Sequence, residues 1–164
     1  VGVVVVDTPT FEVVAKTNAV LPFKRGQGTK IHPKVLAMHE ANGLWAECEA
    51  LYKQQKGQES IRFNEEQRLI QFLHVHGAVD SQLAGFKPGF DRNFLRHYMP
   101  KLERELHYRD FDCNTFWLLQ SYITGESPKR EKPASHRALD DCMDAIKAVE
   151  NHFEFFCKLV KGEL

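Results

Sequence analysis

Residues 135–161 contain neither glycine nor proline, and this uninterrupted stretch constrains the chain more than any other. Leu139, Cys142, Met143, Ile146, Val149, Phe153, Phe156, Cys157 and Val160 recur at helical spacing and predict a long helix with one apolar stripe. Asp140, Asp141 and Asp144 lie beside that stripe. At about 100° per residue, Asp144 points away from it and Asp140 falls on the side of Arg137, Lys147 and Glu154. Asp141 falls on the opposite flank with Ala138, Ala145 and Ala148, whose small side chains let a helix approach a sheet closely. Asp141 is therefore the carboxylate best placed at a helix–sheet crevice. The commoner use of aspartates at such a position is to complement the helix macrodipole.

The rest of the chain alternates. Residues 1–6 are a β-branched run ended by Asp7-Thr8-Pro9, and residues 11–21 form a second run of strand composition. Together they predict a hairpin whose first strand is buried on both faces. Helical patterns begin at Pro33, stop at Asn42-Gly43, and resume over residues 44–52. Asn64 is placed to cap a third helix running through Leu69, Ile70, Phe72 and Leu73. Residues 82–86 form a short strand, Pro88-Gly89 opens a helix through Tyr98, and Pro100 ends or breaks it. A further short strand spans residues 108–111, and a helix spans residues 113–123. Residues 124–135 form a polar, mobile loop. This order predicts one α/β domain over residues 1–164, with an antiparallel hairpin and parallel crossovers.

The composition narrows what such a domain can do. With 43% hydrophobic and 27% charged residues over 164 positions, the chain is that of a globular domain with a sizeable core. A formal net charge of zero argues against a broad basic surface for wrapping long duplex nucleic acid. It is compatible with a small site that grips a few phosphates with the help of metal ions. The four cysteines (Cys48, Cys113, Cys142 and Cys157) show no C-x-x-C pairing and read as reduced thiols of a cytoplasmic protein. No apolar run is long enough for a membrane span, so no membrane partner is expected.

Several residues are candidates for chemistry. Asp91 lies in the first turn of its helix, with Phe94, Leu95 and Tyr98 at i+3, i+4 and i+7, so it is expected to begin the buried face. It is either an N-terminal helix-stabilising aspartate or a carboxylate at the mouth of a sheet. His136 precedes Asp141 by five positions at the end of a polar loop, where it is a surface residue or a general base. His74, His76 and Cys113 match no familiar zinc spacing. Lys129-Arg130-Glu131-Lys132 reads as a solvated face rather than a nucleic-acid patch.

Taken in order, these segments resemble one family. His136 and Asp141 fit the H-x4-D motif of the DEDDh 3′-to-5′ exonucleases. Residues 84–95, Ala-Gly-Phe-Lys-Pro-Gly-Phe-Asp-Arg-Asn-Phe-Leu, continuing to Tyr98-Met99-Pro100, resemble the G-N-S-x-x-x-D-R-x-F-L…Y-M-P pattern of its oligoribonuclease branch. Leu106-His107-Tyr108-Arg109, with Asp112 and Thr115, resembles the H-Y-R-x-x-D-V-S-T segment of that branch. His39-Glu40-Ala41-Asn42-Gly43-Leu44 resembles its H-T-x-S-G-L segment. The resemblance covers residues 1–155. It implies an RNase H-like fold, with a mixed five-stranded sheet flanked by helices. It also implies a homodimer and two divalent ions, Mg²⁺ or Mn²⁺, held by four carboxylates. Asp91 and Asp141 would be two of these metal ligands, and His136 the catalytic base. His39 would line the terminal-nucleotide pocket, Arg109 would hold a 5′ phosphate, and Tyr108 would reach into the partner's site. The implied substrate is short single-stranded RNA or DNA, cut to 5′-mononucleotides.

The chain departs from the family at several positions. No Asp-x-Glu occurs in it, although this motif supplies the family's other two carboxylates from the strand before the hairpin. Because the chain opens inside an apolar run without an initiator Met, it is expected to be N-terminally incomplete, with that motif preceding Val1, and to be inactive by itself. Lys87 and Asn114 stand where the family has serines around the 5′ phosphate, and Lys34 stands where it has a Trp. A broader exonuclease on short RNA or DNA is thereby left open. The alternative is a non-catalytic nucleic-acid-binding or scaffolding relative that has lost the first motif. Retention of Asp91, His136 and Asp141 argues against it.

Overall fold

The computed structural model describes residues 1–8, 10–22, 30–54, 58–126 and 136–163. The valines at its start form strand β1 (Gly2–Val6), paired antiparallel with β2 (Val13–Asn18). Gly2 lies opposite Asn18 and Val5 opposite Ala15, with the register slipping between Val5 and Val6. The Val1 amino group and carbonyl extend the ladder to Ala19, at 2.7 and 2.8 Å.

Side chains alternate across β1, and so do their surroundings. Val1, Val3 and Val5 pack against a core of Leu69, Leu73, Ala78, Leu95, Met99 and Leu102. On the Gly2 face lies the final helix. All five residues of β1 are only half-buried, so the strand is covered on both faces but fully buried on neither, contrary to the expectation.

Helices α1 (Pro33–Ala41) and α2 (Leu44–Gln54) follow the hairpin, joined at the Asn42-Gly43 corner. α3 (Gln58–Val75) carries Leu69 and Leu73 into the core. It begins six residues before Asn64, which is therefore an interior helical residue and not a cap. Next come β3 (Leu83–Gly85), α4 (Pro88–Tyr98), α5 (Pro100–Arg104) and β4 (Asp110–Asp112), a crossover that lays β4 parallel to β3. α4 ends just before Pro100, as expected of a proline, and Pro100 itself opens α5. The buried carboxylate of Glu66 accepts the Lys101 and Leu102 amides at 2.7 and 3.2 Å, satisfying the donors that a helix start leaves unpaired.

The buried face of α4 is Pro88, Arg92 and Leu95, not the side that starts at Asp91; Asp91, Phe94 and Tyr98 are exposed. Arg92 can lie inward because its guanidinium is fully partnered. It donates to Asp110 (2.8 Å), Glu103 (2.9 Å) and the His107 carbonyl (2.6 Å), tying α4 to α5 and β4. Removing one partner of such a buried pair typically costs about 3–5 kcal/mol.

α6 (Asn114–Thr124) leads to residues 127–135, which lie outside the described residues together with the basic run 129–132. α7 (Ala138–Lys161) then runs back across β1, β2 and β3. The molecule is thus a mixed α/β fold. Its four strands make two two-stranded sheets among the described residues, β1-β2 and β3-β4, instead of the expected five-stranded sheet. β1 and β3 share α7 as a neighbour but no hydrogen-bonded ladder. No helix among the described residues is long and apolar enough to cross a membrane.

Candidate active site

The start of α7 rests directly on β1, and Gly2 makes this possible. A Cβ there would lie 2.6 Å from the Ala138 carbonyl carbon, closer than any side chain is tolerated. The Cys142 thiol is 3.7 Å from the Gly2 carbonyl on the same face. With the helix seated this way, Asp140 and Asp144 are exposed and Asp141 is half-buried. The Asp141 Oδ1 atom is sealed from solvent and has no hydrogen-bond partner among the described residues. A buried carboxylate oxygen without a donor is costly, and a cation or an added donor would relieve that cost.

Asp91 belongs to the same neighbourhood. Burial is the main cause of a raised Cys142 thiol pKa, and the carboxylates of Asp141 and Asp91 add to it, so both lie within electrostatic reach of this one sulfur. Asp91 is open to solvent along its edge. Surrounding atoms nevertheless strip water from its carboxyl, which raises its pKa, and its own backbone amide opposes the shift only in part. Among the described residues no three His, Cys, Asp or Glu side chains converge as a metal site. Carboxylates such as those of Asp91 and Asp141 are hard oxygen donors, the ligand type that divalent cations such as Mg²⁺ prefer.

His136 precedes α7 in a left-handed conformation, φ 55°, and is exposed. Its carbonyl accepts a hydrogen bond from Asn42 Nδ2 at 3.1 Å. The same amide nitrogen lies 3.5 Å from Nδ1 of His39, whose ring packs edge-on against Trp45. Arg137 makes a two-pronged ion pair with Glu47 of α2 at 2.8 and 2.9 Å. The structure therefore brings His39, on α1, and the backbone of His136 to one corner, just before the helix that carries Asp141.

Lys87 and Asn114 meet elsewhere, at the ends of β3 and β4. The Asp112 Oδ1 accepts the Lys87 amide (3.3 Å) and the Asn114 amide and side chain (2.9 and 2.8 Å). Burial alone would raise the Asp112 pKa, but these hydrogen bonds outweigh it and hold it below the usual range. The Asn114 side chain is thus turned toward Asp112. Tyr108, 73% exposed, and Arg109, whose guanidinium lies 5.3 Å from the Tyr108 ring, project to solvent. Among the described residues, no hydrogen bond or ion pair joins them to Asp91 or Asp141.

The zinc reading has no support. His74 is paired with Glu105 at 3.1 Å, and burial pushes the Cys113 thiol up to about 11, away from the thiolate a metal would need. Sequence reasoning missed Asn42, Glu47 and Arg92. The only available signals were an Asn at a helix stop and an Arg on an apolar face.

Comparison with known proteins gives a consistent class. An oligoribonuclease of Marinobacter nauticus is 38% identical over 96 residues, covering 57% of this chain and 53% of that protein. A probable oligoribonuclease of Caenorhabditis elegans is 36% identical over 90 residues, covering 54% and 47%. An oligoribonuclease of Neisseria meningitidis is 32% identical over 106 residues, covering 55% and 57%. No family model matches the chain. The chain spans about half the length of the curated relatives it matches. Over about half of its length the chain is therefore similar to oligoribonucleases.

Proposed function

We propose that this chain carries part of a two-metal-ion 3′-to-5′ exonuclease site that acts on short single-stranded RNA, or DNA, and releases 5′-mononucleotides. The observation that carries this reading is the sealed, unpartnered Oδ1 of Asp141, close to a sulfur that also feels Asp91, in a chain whose relatives are named oligoribonucleases. Asp91 and Asp141 would hold the divalent ions, Mg²⁺ or Mn²⁺. The bound ions would activate water and stabilise charge on the attacked phosphate. His136 takes the proton from the water whose oxygen attacks the terminal phosphorus, and the O3′–P bond breaks as O3′ leaves and takes a proton from solvent to become a hydroxyl. His39 forms a wall of the terminal-nucleotide pocket. Lys87, Asn114 and Arg109 bind the far phosphate, a role that the solvent exposure of Arg109 supports. Tyr108 completes the site of a second copy in a homodimer.

The test is release of 5′-mononucleotides from a labelled short RNA by the full-length protein in Mg²⁺ or Mn²⁺. Asp91→Ala and Asp141→Ala should each abolish it, while Asp140→Ala, on the exposed side of α7, should keep it within a few fold. Equal losses for Asp140 and Asp141 would overturn the assignment. Binding of short RNA without any hydrolysis would favour the non-catalytic relative instead.

A further inference from the structure

We propose that Asn42 and Glu47, at the corner between α1 and α2, are positioning residues that set the orientation of His136. The inference rests on the reading of His136 as the base of the proposed site. His136 holds a left-handed backbone that a non-glycine residue seldom adopts, and such a conformation persists only where its surroundings over-determine it. Two contacts grip the chain on either side of the same peptide link. Asn42 Nδ2 donates to the His136 carbonyl across 94 positions of sequence, and Glu47 holds the Arg137 guanidinium with both carboxylate oxygens across 90.

The grip is itself anchored. Asn42 is the C-cap of α1, with its amide donating to the Met38 carbonyl at 3.1 Å, and its Oδ1 accepts the Leu44 amide at 3.1 Å. One side chain therefore faces two ways. Its oxygen ties α1 to α2, while its nitrogen reaches His136 and lies beside the His39 ring. This division of labour has a chemical consequence. Asn42→Asp preserves shape and the acceptor that organises the corner, but removes the N–H that holds His136. A base must stay within hydrogen-bond reach of the water it deprotonates, and a shift of about 1 Å can cost on the order of a hundredfold in rate.

In the full-length protein, Asn42→Asp and Glu47→Ala are expected to lower kcat for a short RNA by between about tenfold and a hundredfold, with KM changed less than about twofold. In a His136→Ala background the same substitutions should have almost no further effect. Independently of turnover, ¹³C-labelled histidine spectra should show the His136 ring signal shifted or broadened in Asn42→Asp, while the buried His152 signal stays in place. An unmoved His136 signal would overturn the inference, as would a kcat loss that persists without His136. A moved His136 signal in a protein that never hydrolyses RNA would uphold the grip and sink the exonuclease reading.

Discussion

Glu66, Arg92 and His152 are the buried acidic and basic side chains among the described residues, and each is accommodated differently. Glu66 accepts two amides at a helix start, and Arg92 donates hydrogen bonds to two carboxylates and a carbonyl. His152, on the inner side of α7, faces Oε1 of Gln120 in α6 with its Nδ1. Burial lowers its pKa, because a charged imidazole has no compensating carboxylate in that bond. The sign of the linkage follows. The unfolded chain binds this proton more readily than the folded one, so the stability contributed by a neutral His152 is present above a pH of about 6.5. It is lost as pH falls from there through the folded pKa. Denaturant unfolding at pH 8 and pH 5 should therefore show a steeper acid loss for the wild type than for His152→Gln. Equal slopes would mean that this imidazole is not desolvated in the way its burial suggests.

Among the elements, α7 decides most, because it carries Asp141 and is held at its start by three others. β1 receives it over Gly2, while Asn42 at the end of α1 and Glu47 of α2 hold the two residues that lead into it. Gly2→Ala places a methyl against the Ala138 backbone, where no side chain can swing away. The expected cost is typically about 1–3 kcal/mol, measured as a lower unfolding midpoint. The damage should be local in character. Hydrogen exchange should rise first in the opening turns of α7, while α3 and its Leu69–Leu73 core contacts stay protected. Uniform loss of protection would show that α7 does not seat independently on β1.

For the whole molecule, the question is what the exposed aromatic surface does. Phe90, Tyr108 and Tyr122 are 77%, 73% and 80% exposed, and Val160 near the end of α7 is 88% exposed. The proposed homodimer would account for part of this surface by an isologous contact that shares the two sites symmetrically. Sedimentation at micromolar concentration should then report two copies. Mixing an Asp141→Ala protein with a Tyr108→Ala protein should restore part of the nuclease activity, since one site of a mixed dimer has intact carboxylates and an intact Tyr108. A monomer at high concentration, or no recovery despite subunit exchange, would refute the role given to Tyr108.

What the sequence determined by itself was local. Periodicity located α4, α6 and α7 to within a few residues, and the flank analysis of α7 separated the recessed Asp141 from the exposed Asp140 and Asp144. Such features depend on residues three or four apart, whose spacing is set by the helix itself. Tertiary structure decided the rest. Arg92 displaced Asp91 from the inner face of α4 because Glu103 and Asp110 supply partners that α4 cannot announce in its own pattern. Asn64 lies inside α3, and Pro100 opens a helix because Glu66, from another element, caps it. The pairing of Asn42 with His136 spans 94 positions and left no mark on either local pattern. The strands were legible one by one, but their division into two separate pairs was not. Hydrogen-bond pairing between strands is a property of how they are brought together, and a strand's composition specifies its faces and not its neighbours.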